Sequence, residues 1–179
     1  MSNPPSTQRP ATPDFLLATL AELGIAYTNH HHAPVMTVEQ SRALRGPLPG
    51  LHAKNLFLKD KKGGQWLVVA EESQTIDLKD LRQRLAVANL SFAKPERLMD
   101  ALGVTPGTVT PFAVINDPSG AVRVVLDQAL ANAAAASFHP LDNAQTTTVS
   151  GTGLLSFLDA MQHPPLLVDF TPGAAPASA

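Results

Sequence analysis

Two apolar runs joined by five polar turn-formers constrain this 179-residue chain more than any other feature. Asn55-Leu56-Phe57-Leu58-Lys59 and Gln65-Trp66-Leu67-Val68-Val69-Ala70 flank Asp60-Lys61-Lys62-Gly63-Gly64. Strand-forming residues broken by Asp and Gly predict a β-hairpin. A hairpin must bury its apolar side chains, and the flanking segments supply the cover. Phe15, Leu16, Leu20 and Leu23 share a helical face, so Asp14 to Leu23 is predicted helical, with Asp14 as cap and Gly24 as stop. Ile25 to Asn29 then extends as a strand. Thr37-Val38-Glu39-Gln40 fits a capping box for a helix from Val38 to Leu44, and Leu48 to Leu51 is a turn. Asp77 caps a helix from Leu78 to Leu85, and Pro95 opens another that ends at Leu102 before Gly103.

A second hairpin is predicted where Phe112 to Ile115 and Val122 to Leu126 flank Asn116-Asp117-Pro118-Ser119-Gly120. Leu126 to Ala136 is Ala-rich and open between helix and loop. Thr146 to Val149 reads as a strand, Leu154 to Met161 as a helix and Leu166 to Val168 as a last strand. Helices interrupt strand pairs rather than alternate with single strands. The fold class is therefore α+β, a single domain with a mixed, mostly antiparallel sheet flanked by helices. The domain is expected over residues 14–170. Residues 1–13 and 171–179, rich in Pro, Ser, Thr and Ala, are expected to be disordered and flexible tails.

Aromatic residues make up only 5% of the chain, so the core must be built from Leu, Val, Ala and Ile. The absence of cysteine excludes a disulfide framework, thiol catalysis and any zinc site that needs thiolates. No run of about 18 apolar residues occurs and no apolar signal core opens the chain, so a cytoplasmic protein without a membrane span is expected. The formal net charge is -2, which argues against a chain that coats nucleic acid indiscriminately. Charge is nevertheless uneven: from Thr37 to Arg97 there are 11 Lys and Arg against 7 Asp and Glu, elsewhere 2 against 8. That asymmetry suits an anionic partner on one face, and equally an ordinary solvated surface. A DNA-binding helix or basic stripe is lacking.

Familiar catalytic templates are missing: no Gly-x-Ser-x-Gly elbow, no phosphate loop, no dinucleotide fingerprint. His30-His31-His32 resembles a metal cluster, but neighbours on a strand point to opposite faces, which argues against a shared ion. Three stretches remain: Ala53-Lys54-Asn55-Leu56-Phe57-Leu58, the Gly-x-x-x-Pro loop Gly107-Thr108-Val109-Thr110-Pro111, and Phe138-His139-Pro140-Leu141-Asp142-Asn143 ahead of Thr146-Thr147-Thr148. With His32-Ala33-Pro34 upstream, their order and spacing from Phe15 to Asp169 resemble the free-standing bacterial prolyl-tRNA editing domains, the YbaK/ProX-like deacylases.

The resemblance implies an enzyme that hydrolyses the ester of mischarged tRNA(Pro), with no cofactor and no metal. It is closest to the branch that clears alanine; the cysteine-clearing branch and a non-catalytic tRNA-binding module are the alternatives. Lys54, Gly107 and His139 become the catalytic candidates. Lys54 by itself reads as a surface lysine or as a cation for the acceptor end. Gly107 permits close backbone approach, so that loop N–H groups hold a developing oxyanion. His139 is a base or a ligand-positioning residue. Asn55, Thr108, Pro111 and His32 are the substrate-binding candidates, and Val35 and Met36 read as pocket wall or as ordinary core. The implied partners are the acceptor end of mischarged tRNA and prolyl-tRNA synthetase, with no membrane and no DNA. The ester is already activated, so positioning, with help from the terminal ribose 2′-hydroxyl, suffices for attack by water. A second sieve that admits alanine and excludes proline supplies the selection.

Overall fold

A computed structural model describes residues 9–34, 37–45 and 48–174, and Val35 and Met36 lie outside these. Helix α1 spans Pro13–Glu22, strand β1 Tyr27–His31 and helix α2 Val38–Arg45. Strands β2 (Leu51–Asp60) and β3 (Gln65–Glu71) form the expected hairpin, followed by α3 (Leu78–Arg84), β4 (Leu90–Phe92) and α4 (Pro95–Leu102). Two short 3₁₀ turns, Pro106–Thr108 and Pro111–Asn116, precede β5 (Val122–Asp127) and the one-turn α5 (Gln128–Ala131). The chain continues through β6 (Ala136–Phe138), β7 (Gln145–Val149), α6 (Gly151–Ala160) and β8 (Leu166–Val168). Among the described residues the strands make one sheet in the order β1-β7-β6-β2-β3-β5-β8, with β4 on β2. Its pairings are mixed with antiparallel ones in the majority: β1 with β7, β2 with β3 and β4, and β6 with β7. The β2–β6, β3–β5 and β5–β8 pairs are parallel. No helix among the described residues is long and apolar enough to cross a membrane.

Strand alternation divides the core between the two faces of the sheet. On one face Phe57, Leu67, Val69, Val124 and Leu126 pack with Leu16 and Leu20 of α1, Leu98 and Leu102 of α4, and Leu154, Phe157 and Leu158 of α6. On the other, Leu58, Trp66, Val68 and Val125 pack with Leu81 of α3. Three aromatic rings meet at one point, where Phe112 stands edge-on to Phe138 and Phe157 at centroid distances of 5.7 and 5.3 Å.

Local chemistry explains where expectation and structure part. Thr12, not Asp14, caps α1, because Pro13 occupies the first helical turn and Thr12 Oγ1 accepts the Phe15 N–H at 3.2 Å. Gly24 closes that helix with φ +70, its N–H donating to Ala21 and that of Ile25 to Leu20. The second hairpin does not form. Pro111 has no N–H to give a ladder, and Thr110 accepts the Phe112 N–H, so Phe112 to Ile115 coils as 3₁₀. Strand β5 instead runs parallel to β3. The segment from Leu126 to Ala136 resolves into the end of β5, α5 and the start of β6. The expected turn at Leu48 to Leu51 ends earlier, since Leu51 already belongs to β2.

Candidate active site

The site grows from one short pairing. Strands β2 and β6 meet only through Leu51↔Ala136 and His52↔Ser137, after which β2 follows β3 and β6 ends. The start of this pairing is tight: Gly50 has φ +95, and a Cβ there would lie 2.4 Å from the Ala135 carbonyl oxygen that receives the Leu51 N–H. Lys54 and His139 each lie two residues beyond the last paired positions, His52 and Ser137. On β2 alternation puts Lys54 on the same sheet face as His52, whose partner is Ser137.

Along β2 this face changes character. Leu56 and Leu58 are apolar and covered by the α3 side, whereas His52 and Lys54 lead into a polar strip. Ser137, Thr146 and Thr148 form its floor and are all buried. Ser137 Oγ and Thr148 Oγ1 are 2.7 Å apart, and His32 Nε2 is 2.8 Å from Thr146 Oγ1. Buried hydroxyls facing a half-buried lysine and histidine form a donor-rich surface suited to an ester and phosphates. Ser137, Thr146 and Thr148 were not among the sequence candidates. The available signal was the period of two in Thr146-Thr147-Thr148, since Thr147 turns the other way and donates to Asn29 Oδ1 at 2.8 Å.

Each sequence candidate among the described residues has a definite place. Lys54 is half-buried and its Nζ donates to the Gln74 carbonyl. Half-buried His139 holds Nδ1 3.1 Å from the Gln145 carbonyl oxygen. His32 turns inward, while His30 and His31 are exposed. Asn55 alternates to the opposite face of β2, where its Oδ1 is buried without a partner. The Gly107 loop approaches from that opposite face too, since Pro111 is buried and Phe112 packs on Phe138. Thr108 spends its groups within the turn: its N–H donates to Thr105 O at 2.9 Å and its Oγ1 accepts the Thr105 N–H at 3.1 Å. Gly107 sits exposed at the apex with no atom within 4 Å of a would-be Cβ. Lys54 thus lies on the face of the buried hydroxyls, His32 is bonded to one of them, His139 is tied to the start of β7, and Asn55, Gly107, Thr108 and Pro111 are on the other side of the β2–β6 divergence. Asp142 is structural, accepting from Ala144 N at 3.0 Å and Gln145 Nε2 at 2.9 Å.

Comparison with known proteins bears on this arrangement. The family model described as "Aminoacyl-tRNA editing domain" matches residues 32–157, which span every motif above. "Prolyl-tRNA editing protein ProX" of Acetoanaerobium sticklandii is 42% identical over 75% of this chain and 83% of its own length. "Prolyl-tRNA synthetase associated domain-containing protein 1" of Danio rerio is 36% identical over 84% of this chain and 83% of its own. Among solved structures, one described as a candidate trans-editing enzyme for prolyl tRNA synthetase superposes with a TM-score of 0.68 at 20% identity, covering 96% of this chain and all of that one. That likeness speaks for the fold.

Proposed function

We propose, from the premise that this chain belongs to the aminoacyl-tRNA editing domain family, that it removes alanine from mischarged tRNA(Pro). Membership makes it an aminoacyl-tRNA deacylase. The observation that supports this reading is half-buried Lys54 on the sheet face that carries the buried hydroxyls of Ser137, Thr146 and Thr148, with half-buried His139 just beyond β6. Lys54 offers N–H donors and a full charge to the acceptor end, holding the ester against the polar strip. With the ester carbonyl reaching across the β2–β6 divergence, water adds to it, the developing oxyanion accepts from loop N–H groups at the Gly107 apex, and the bond to the ribose oxygen breaks to release free alanine. The neighbouring ribose 2′-hydroxyl assists the water, and His139 orients it or takes its proton.

Selection for a small side chain, by which prolyl esters are spared, is assigned to Val35 and Met36. Thr108 and Pro111 stiffen the loop, Asn55 meets the substrate across the β2–β6 divergence, and His32 fixes the lip leading to α2. The basic surplus from Thr37 to Arg97 receives the phosphates of the acceptor strand. Prolyl-tRNA synthetase, whose errors the reaction corrects, is the partner upstream, in the cytoplasm. Residues 11–170 carry the activity, three more at the start than the sequence suggested because Thr12 caps α1 and the Ala11 N–H donates to Asn116 Oδ1, and the segments outside them are dispensable.

The test separates hydrolysis from binding. Alanyl-tRNA(Pro) labelled in the amino acid is incubated with catalytic amounts of protein, and free alanine and retained complex are measured together. Release well above the spontaneous rate supports the deacylase. Retention without release points to a tRNA-binding module.

A further inference from the structure

We propose that Glu71 is a positioning residue for Lys54, acting through a clasped turn that presents one main-chain carbonyl to the ammonium; this rests on Lys54 being the cation of the site. A lysine side chain has many rotamers, so one that must hold an ester needs a fixed acceptor. Lys54 Nζ finds that acceptor in the carbonyl of Gln74. Gln74 lies in the β3–α3 connection, outside any helix or strand, and its carbonyl is only as fixed as that connection.

The connection is tied down around Glu71. The Glu71 carboxylate folds back onto Ser73, with Oε1 accepting the Ser73 N–H at 3.2 Å and Oε2 accepting the Ser73 hydroxyl. The Glu71 carbonyl receives the Gln74 N–H at 3.1 Å. Behind it, the Glu71 N–H donates to Asp127 Oδ2 at 2.9 Å, and Asp127, 1% exposed, accepts Ala129 N–H through Oδ1 at 3.0 Å. The Glu72 N–H donates at 2.9 Å to the carbonyl of His52, two residues before Lys54. The turn is therefore anchored to the start of α5 on one side and to β2 on the other.

This arrangement solves an electrostatic problem. Glu71 pairs with Ala53 in the β2–β3 ladder, next to Lys54, yet alternation puts its side chain on the opposite face. Both its oxygens are engaged by Ser73 rather than by the ammonium. A carboxylate on Lys54 would cancel the charge the site needs, whereas a neutral carbonyl orients the ammonium and leaves its charge for the substrate.

The experiment is a double-mutant cycle on single-turnover deacylation of alanyl-tRNA(Pro), with melting temperatures measured in parallel. Glu71→Ala is expected to lower the rate about tenfold, since small misplacements at a reacting centre have effects of that order. Glu71→Gln, which keeps an acceptor for Ser73, is expected to restore most of the rate. In a Lys54→Ala background Glu71→Ala should cause no further loss. An equal loss in both backgrounds, an unchanged rate in the single variant, or no rescue by Gln would overturn the proposal. A wild-type protein inactive on the ester would overturn the deacylase reading instead.

Discussion

Lys54 is where the site's chemistry is most exposed to a single substitution. Its stem lies beside Leu56 at the border of an apolar cluster, but its ammonium meets a carbonyl rather than the core. Lys54→Ala should therefore lose most deacylation with little change in thermal stability. A fall in stability equal to that of a buried Leu→Ala change, about 2 to 5 kcal/mol, would make Lys54 structural. Asn55 gives the opposite signature. Its Oδ1 is buried without a partner, a state that costs about 1 to 3 kcal/mol. Replacing Asn55 with the similarly sized Leu should leave the melting temperature unchanged or higher while deacylation falls. A lowered melting temperature with full activity would show that the amide serves the fold. At this scale the sequence singled out Lys54, Asn55 and His139 by motif. It left out Ser137 and Thr148, because two hydroxyls eleven residues apart become a pair only through the β6–β7 register.

Elements set these residues in place, and two of their joints can be tested. At the β2–β3 turn, Asp60 accepts N–H groups from Lys62 at 2.8 Å, Gly64 at 2.9 Å and the Trp66 indole at 3.1 Å. The Trp66 bond, foremost, holds the Asp60 carboxyl below its ordinary value of 3.8. A depressed carboxyl stabilises the fold above its unfolded pKa, and that contribution is lost as pH falls through the lower folded value. Asp60→Asn should thus lower the denaturant midpoint at pH 7, with the difference from wild type shrinking as pH drops below about 4. A constant difference across that range would remove the carboxylate from the explanation. At the β2–β6 joint, Gly50→Ala combines φ +95 with a 2.4 Å approach to Ala135 O, so it should weaken both the pairing and deacylation. Gly107→Ala meets nothing within 4 Å and should leave stability intact, so a selective loss of activity there would support its catalytic role. Elements with strong local signals were legible: the hairpin, α4 between Pro95 and Gly103, and α3 behind its Asp77 cap. Strands β4 and β6, three residues each, have no periodicity to read. The stretch from Phe112 looked like a strand by composition, and Thr110 and Pro111 overruled it.

For the molecule as a whole, the order of motifs along the chain was more informative than any one of them, because the fold brings distant segments to one divergence of strands. His52, Lys54, Ser137, Thr146 and Thr148 share a sheet face, and nothing in local sequence shows which strands adjoin. The α+β class followed from how helices interrupt strand pairs, but the parallel β3–β5 and β5–β8 pairings did not, since parallel neighbours need no hairpin signature. The central claim, a second sieve that accepts a small aminoacyl group and rejects proline, belongs to this scale because it requires the cleft, the loop and the basic flank together. Its most direct test is the ratio of deacylation rate constants on one tRNA(Pro) charged in turn with alanine, cysteine and proline, each corrected for spontaneous hydrolysis. The expected result is fast release of alanine, slower release of cysteine by roughly tens of fold, and no enzymatic release of proline. Hydrolysis of the prolyl ester at a rate comparable to the alanyl ester, or of none of the three, would contradict it.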